Sequence, residues 1–313
     1  MKRRDFLKAA ALTGLATTFK VTGGMDLMAQ KASKPRSTKM GCDLVAVMGG
    51  EPAEMFRKAI AEMGGMGKYV KKGQKVCIKP NIGWDKSPEM AANTNPDLVA
   101  EIVQQCLKAG AAQVVVFDHT CAEWNMCYAK SGIADAAKKA GAKMLPGHEA
   151  SYYREIDLPK GVKLKKAMVH QAILDSDVWI NVPVLKNHGG ARMTIAMKNH
   201  MGIIWDRGIF HRNDLQQCIA DICTLHKPAT LHVVDAYRVM KTNGPQGRSA
   251  SDVALAKALF VSEDIVAVDT AATKFFGQLQ SMPLESVQHI YKAEALKLGT
   301  MDLSKLNVKK INI

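Results

Sequence analysis

Short apolar runs alternate with amphipathic stretches along most of the chain, and their boundaries carry glycine, proline or a capping residue. Asp43–Met48, Lys75–Pro80 and Gln113–Asp118 read as buried strands, while Pro52–Met63, Asn95–Ala109 and Ala129–Ala140 have helical spacing. Ala142–Leu145 reads as a further short strand. The second half repeats the pattern: strands at Asp177–Pro183, Ala229–Asp235, Ala258–Ser262 and Val308–Ile313, helices at Asn213–Leu225, Asp264–Phe276 and Leu284–Leu298. Strands that are apolar on both sides must be covered on both sides. The alternation therefore predicts an α/β fold with a mostly parallel central sheet and helices on both faces, a three-layer α/β/α arrangement. Residues 146–176 are less regular and read as a β-rich excursion around Tyr152–Leu158 and Lys165–His170. Gly64-Gly65-Met66-Gly67-Lys68 fails as a phosphate loop, because Glu62 stands where a glycine is required and Tyr69 where a Ser or Thr is required. It reads instead as a helix C-cap and turn.

Ahead of this domain lies Lys2-Arg3-Arg4-Asp5-Phe6-Leu7-Lys8, followed by the mildly apolar Ala9–Phe19. The pattern reads as a twin-arginine export signal over residues 1–29, with Leu27-Met28-Ala29 as the cleavage site. The apolar core is shorter than the roughly 20 residues a spanning helix needs. No later stretch is long and apolar enough to span a membrane either. Residues 30–41 read as a polar linker and 42–313 as a single α/β domain. The expected partner at this end is the twin-arginine export machinery, and the expected location is periplasmic or extracytoplasmic, reached in the folded state.

Most of the formal net charge of +14 lies outside the leader, which suits a small anionic ligand. The lysines are dispersed and aromatics make up only 6%, a combination that argues against nucleic acid. There are seven cysteines, an odd number, and no Cys-x-x-Cys. Cys77 and Cys106 read as buried small hydrophobes, while Cys121/Cys127 and Cys218/Cys223 are close enough in sequence to pair or to bind a metal.

In open parallel sheets, ligands bind beyond the carboxyl ends of the strands. Here those ends read Lys79-Pro80-Asn81, Asp118-His119-Thr120, Lys186-Asn187-His188 and Asp235-Ala236-Tyr237. Lys186, His188, Arg192, Lys198, Asn199 and His200 crowd into one segment, around Gly189-Gly190. The expected site has His188, Lys186 and His119 as catalytic groups, the histidines titrating near neutral pH. Lys79, Asn81, Lys198, Asn199 and Arg192 would bind the ligand, and Asp118, Asp235 and His200 are candidate metal ligands. The cofactor is open, with a metal ion or an iron–sulfur centre among the choices.

Several of these residues carry a family resemblance. Lys79-Pro80-Asn81 after a buried strand, Val114–Asp118, Lys186-x-His188, Thr194-x3-Lys198-Asn199-x2-Gly202, Asp235 and Ser262-x-Asp264-x4-Asp269 resemble the domain of unknown function 362 family over roughly 42–280. The resemblance implies one α/β domain with a site near these motifs. Some members of that family carry an added ferredoxin-like iron–sulfur domain, whose cysteine runs are missing here. The leading expectation is an enzyme acting on a small anionic substrate. The alternatives are a non-catalytic periplasmic ligand- or cofactor-binding protein, and a redox protein holding a metal or iron–sulfur centre.

Overall fold

Residue parity along each strand decides which layer it supports. In the computed structural model, which describes residues 41–313, the chain runs β1 (Leu44–Met48), α1 (Pro52–Glu62), β2 (Lys75–Pro80), α2 (Pro96–Lys108), β3 (Gln113–Val116), α3 (Trp124–Lys130), α4 (Ile133–Lys139) and β4 (Lys143–Met144). It continues through β5 (Tyr153–Asp157), β6 (Lys166–His170), α5 (Gln171–Leu174), β7 (Val178–Val182), β8 (Val184–His188), β9 (Arg192–Thr194), α6 (Ala196–Asn199), α7 (Gly208–Arg212) and α8 (Leu215–Ile222). It closes with β10 (Leu231–Met240), β11 (Val253–Ser262), α9 (Ile265–Leu279), α10 (Gln288–Ala295) and β12 (Val308–Asn312). The described residues belong to one compact unit. The export signal read from residues 1–29, and the linker up to residue 40, lie outside the described residues.

The main sheet has the order β12-β1-β11-β10-β7-β2-β3-β4. Every neighbour along this path is parallel except at β11, which runs against both β1 and β10. β8 pairs in parallel with the later part of β10, and β9 folds back on β8 as a hairpin. Val45, Val47, Val76 and Ile78 pack with Phe56 of α1 and Leu98 and Ile102 of α2. Ala46, Cys77 and Trp179 face the opposite layer, with Ile219, Val266, Phe276 and Ile290. The three-layer mostly parallel α/β fold expected from the alternation is the one observed. Each fully buried Leu, Ile, Val or Phe contributes about 1.5–3 kcal/mol, so the two cores dominate the stability.

Tertiary context shifts several boundaries. The helix expected over Ala129–Ala140 is two helices, broken where Gly132 takes a φ of +73°. Gly277 does not end α9, which runs on to Leu279. The strand expected to end at Asp235 continues to Met240, because β8 supplies a partner for its second half. Asp235 is thus interior to a strand and not at its carboxyl end. All seven cysteines are free, so neither Cys121 with Cys127 nor Cys218 with Cys223 forms a disulfide.

Burial lowers the pKa of six histidines, His119, His170, His188, His200, His232 and His289, reaching about 4 for His170 and His200 and about 3 for His188 and His289. The unfolded chain takes up these protons near pH 6.5, whereas the native state resists them to lower pH, until about 4 for His170 and His200. Their contribution is therefore fully present above 6.5 and is lost as pH falls toward 4. Burial raises Asp235 to about 6 and Asp269 to about 7, which opposes this trend but with fewer groups. We expect the urea midpoint to fall between pH 7 and pH 4.5. A midpoint constant across that window would contradict the burial of neutral histidines.

Candidate functional site

A buried ion pair sits where β2 and β3 end. Lys79 and Asp118 are 0% and 2% exposed, with Nζ 2.8 Å from Oδ1. A charge taken out of water costs several kcal/mol unless every polar atom around it is satisfied. Lys79 Nζ also donates to Asn199 Oδ1 (2.7 Å), and Asp118 Oδ2 accepts from Ile82 N (2.6 Å). Burial pushes the Lys79 pKa down, while Asp118 beside it pulls the other way. The geometry favours the charged pair.

From this pair a ladder of amides reaches the cleft. Asn199 Nδ2 donates to Asn181 Oδ1 (2.8 Å), and Asn181 Nδ2 donates to Ala196 O (2.9 Å) and His232 Nδ1 (3.2 Å). Asn81 Nδ2 donates to Asn199 Oδ1 (3.2 Å), and Asn81 Oδ1 accepts from Lys186 Nζ (3.0 Å). Asn81 is itself held by Thr94, whose Oγ1 accepts from Asn81 N (2.8 Å) and donates to Val182 O (2.7 Å). Asp269 of α9 accepts from Ala196 N (2.8 Å) and Met197 N (3.0 Å), fixing the start of α6 and with it Lys198 and Asn199.

The cleft beside this ladder has a cavity volume of about 310 Å³, within the range of small-ligand sites. Asn81, Asp118, His119, Lys186, His188, Lys198 and Asn199 all line it, so residues separated in sequence by more than a hundred positions converge. The three lysines are held differently. Lys79 is ion-paired. Lys186 is 1% exposed and donates to Asn81 Oδ1 and Ala92 O; burial lowers its pKa to about 7. Lys198 is only partly exposed, lowered by burial to about 8, and makes no hydrogen bond or ion pair among the described residues.

Of the histidines lining the cleft, His119 and His188 are neutral in opposite tautomers. His119 Nδ1 lies 2.8 Å from Ile204 O, which can only accept, so its proton is on Nδ1 and Nε2 is the basic nitrogen. Its ring stacks on Trp205 at 5.1 Å. His188 Nδ1 accepts from Ala191 N (3.1 Å), so Nε2 carries the proton. Burial, reinforced by Lys198 and Lys186, drives His188 to about 3. The expectation that His188 titrates near neutral pH is corrected: it is a fixed hydrogen-bond donor, while Lys186 and Lys198 are brought toward neutral pH.

Four expected residues do not line the cleft, and Lys79, expected to bind the ligand, is one of them, fully buried in its ion pair with Asp118. Arg192 is exposed at the start of β9, with a φ of +67°. Asp235 accepts from Asn95 N (2.7 Å) and Tyr237 N (3.0 Å), a structural role at the cap of α2. His200 is buried, with Nδ1 2.9 Å from Ala196 O and its ring against Trp179. Asp118, Asp235 and His200 therefore do not assemble as a metal site, and no group of three or more His, Cys, Asp or Glu among the described residues is placed to hold a metal ion. Two further lining residues shape the site. Arg207 donates to His119 O (2.9 Å), Thr120 O (2.6 Å) and Cys121 Sγ (3.1 Å), clamping that loop. Thr194 is 3% exposed, and its Oγ1 has no hydrogen-bond partner among the described residues. Thr194 stood in the family motif; Arg207, five residues past Gly202, had no motif to mark it.

Gly202 explains the spacing of that motif. A Cβ there would run into Asp118 Oδ1 and lie 2.5 Å from Lys79 Nζ and 2.7 Å from Lys79 Cε. Gly202→Ala is expected to force the ion pair apart and cost about 3–5 kcal/mol, the range for breaking a buried pair. Urea denaturation measures it. A wild-type midpoint in Gly202→Ala would show that the pair tolerates displacement.

A thylakoid-associated protein of Synechocystis sp. is 24% identical over 226 residues, which cover 70% of this chain and 68% of the relative. Among solved structures, the lactate racemase apoprotein of Thermoanaerobacterium thermosaccharolyticum aligns at 14% identity and a TM-score of 0.47, over 74% of this chain and 56% of that one. A Thermotoga maritima protein aligns at 12% identity and a TM-score of 0.42, over 73% and 60%. The chain thus spans less than two thirds of either solved relative. The family described as domain of unknown function (DUF362) matches residues 76–274, well over half of the sequence, and the chain belongs to that family.

Proposed function

We propose that the cleft is the site of an enzyme acting on a small anionic substrate, with the chain exported in its folded state by the twin-arginine signal at Arg3-Arg4. The observation that carries the site is Lys198. It is a lysine opening onto the cleft without a hydrogen bond or ion pair among the described residues, beside Thr194, a buried hydroxyl equally without a partner. A polar group left in this state is costly, and a ligand carboxylate would satisfy both. Lys186 and Arg207 add positive charge to the cleft walls, while the carboxylate of Asp118 is already matched by Lys79. His188 Nε2–H offers a donor and His119 Nε2 a base. Anion binding, orientation and proton transfer are thus available within one small volume. For export, the supporting observations are the twin arginines and seven free thiols, five of them buried, as suits a chain folded under reducing conditions.

Malonate serves as a probe of the anion site. Calorimetric titration is expected to show binding at pH 6.5, and affinity should fall about tenfold or more as pH rises past 8, because Lys186 and Lys198 lose the protons that attract the anion. Lys198→Gln should abolish it. Full affinity in that variant would move the site elsewhere, and binding without turnover of any co-purifying small molecule would favour a carrier. Arg3→Lys with Arg4→Lys should leave the protein in the cytoplasmic fraction of an export-competent host. Unchanged export would exclude the twin-arginine route.

A further inference from the structure

We propose that Lys198 is a Schiff-base lysine, and that the substrates are small carboxylates carrying an aldehyde or ketone group. The inference rests on the anion-site reading and narrows it. An imine-forming lysine needs an amine whose lone pair is uncommitted, in a pocket that admits the carbonyl. Lys79 fails, being ion-paired to Asp118 and bonded to Asn199. Lys186 fails, being tied to Asn81 Oδ1 and Ala92 O. Lys198 alone of the three makes no hydrogen bond or ion pair among the described residues, and it lines the cleft. A second observation is independent of it: Thr194, in the same cleft wall, has a buried Oγ1 without a hydrogen-bond partner among the described residues.

The field around Lys198 also suits the chemistry. Burial, with Arg207 and Lys79 nearby, lowers its pKa to about 8. At pH 7 about a tenth of it is free amine, on the order of a hundredfold more than for an ordinary lysine. Cys121 and Asp118 pull the other way, and the lowering is the net result. The nitrogen lone pair attacks the carbonyl carbon, forming a C–N bond, while the C=O π pair moves to oxygen. That oxygen accepts a hydrogen bond from His188 Nε2–H and takes up the proton released by the nitrogen. A second proton, taken from solvent, converts the hydroxyl to water, which leaves as C=N forms, and the nitrogen then gives up its remaining proton to solvent in its place. The sum is amine plus carbonyl giving imine plus water, with no oxidant or reductant.

The test is reductive trapping of the full chain with glyoxylate and cyanoborohydride, with peptide mapping by mass spectrometry, alongside malonate calorimetry. The expected result is a carboxymethyl adduct on Lys198, forming at least about tenfold faster than on exposed lysines at pH 7 and suppressed by malonate. Its rate should rise with pH and level off above about 8, while exposed lysines go on gaining reactivity. Lys198→Arg should remove the fast adduct while keeping a cation. If malonate binds but the label spreads over exposed lysines and spares Lys198, the covalent step is overturned and the anion site stands. If malonate does not bind and Lys198 is unlabelled, both fall.

Discussion

The Lys79–Asp118 pair governs the carboxyl edge of the sheet. Two opposite charges with almost no exposure are tolerable only when each remaining polar atom is met. That requirement recruits Asn199 from α6 and Ile82 N from the loop after β2, and it forbids a side chain at Gly202. The pair thereby ties three distant segments into one framework. Asp269 braces the far side by capping α6 from the outer helix layer. A helix as short as α6 is not stable by itself, so its placement depends on these contacts.

Once that framework is set, chemically identical groups diverge. Lys79 is charged and structural. Lys186 is tethered by two acceptors. Lys198 lines the cleft with no hydrogen bond or ion pair among the described residues. His119 and His188 diverge likewise, each ring fixed in one tautomer by a single backbone contact. Environment, not residue type, assigns the roles, and the cleft combines an uncommitted amine, a donor and a base within a positively charged wall.

Much of the fold was legible because strand and helix signals are local. Lys75–Pro80 and Gln113–Val116 are apolar runs bounded by caps and turns, and parity along β1 and β2 sends side chains to two cores. Clustering of Lys79, Asn81, Asp118, Lys186, Lys198 and Asn199 followed from strand ends sharing one edge. The failures have one origin. Asp235 looked terminal because β8, which lengthens β10, is a tertiary partner. Arg192 and His200 lie in the dense basic segment, yet hairpin and helix geometry turn one to solvent and the other into the core. Arg207 went unseen because its partners are backbone carbonyls of a loop distant in sequence.

By itself the sequence determined the α/β class, a sheet covered on both faces, the edge where chemistry gathers and the twin-arginine pattern, since all of these depend on residue type and short-range spacing. Only the tertiary structure decided which lysine is paired, which is tethered and which is free. It also decided that His188 stays neutral and that Asp118 serves an ion pair in place of a metal set. Those outcomes depend on desolvation and on hydrogen-bond partners supplied from elsewhere in the chain, and neither is encoded in local pattern.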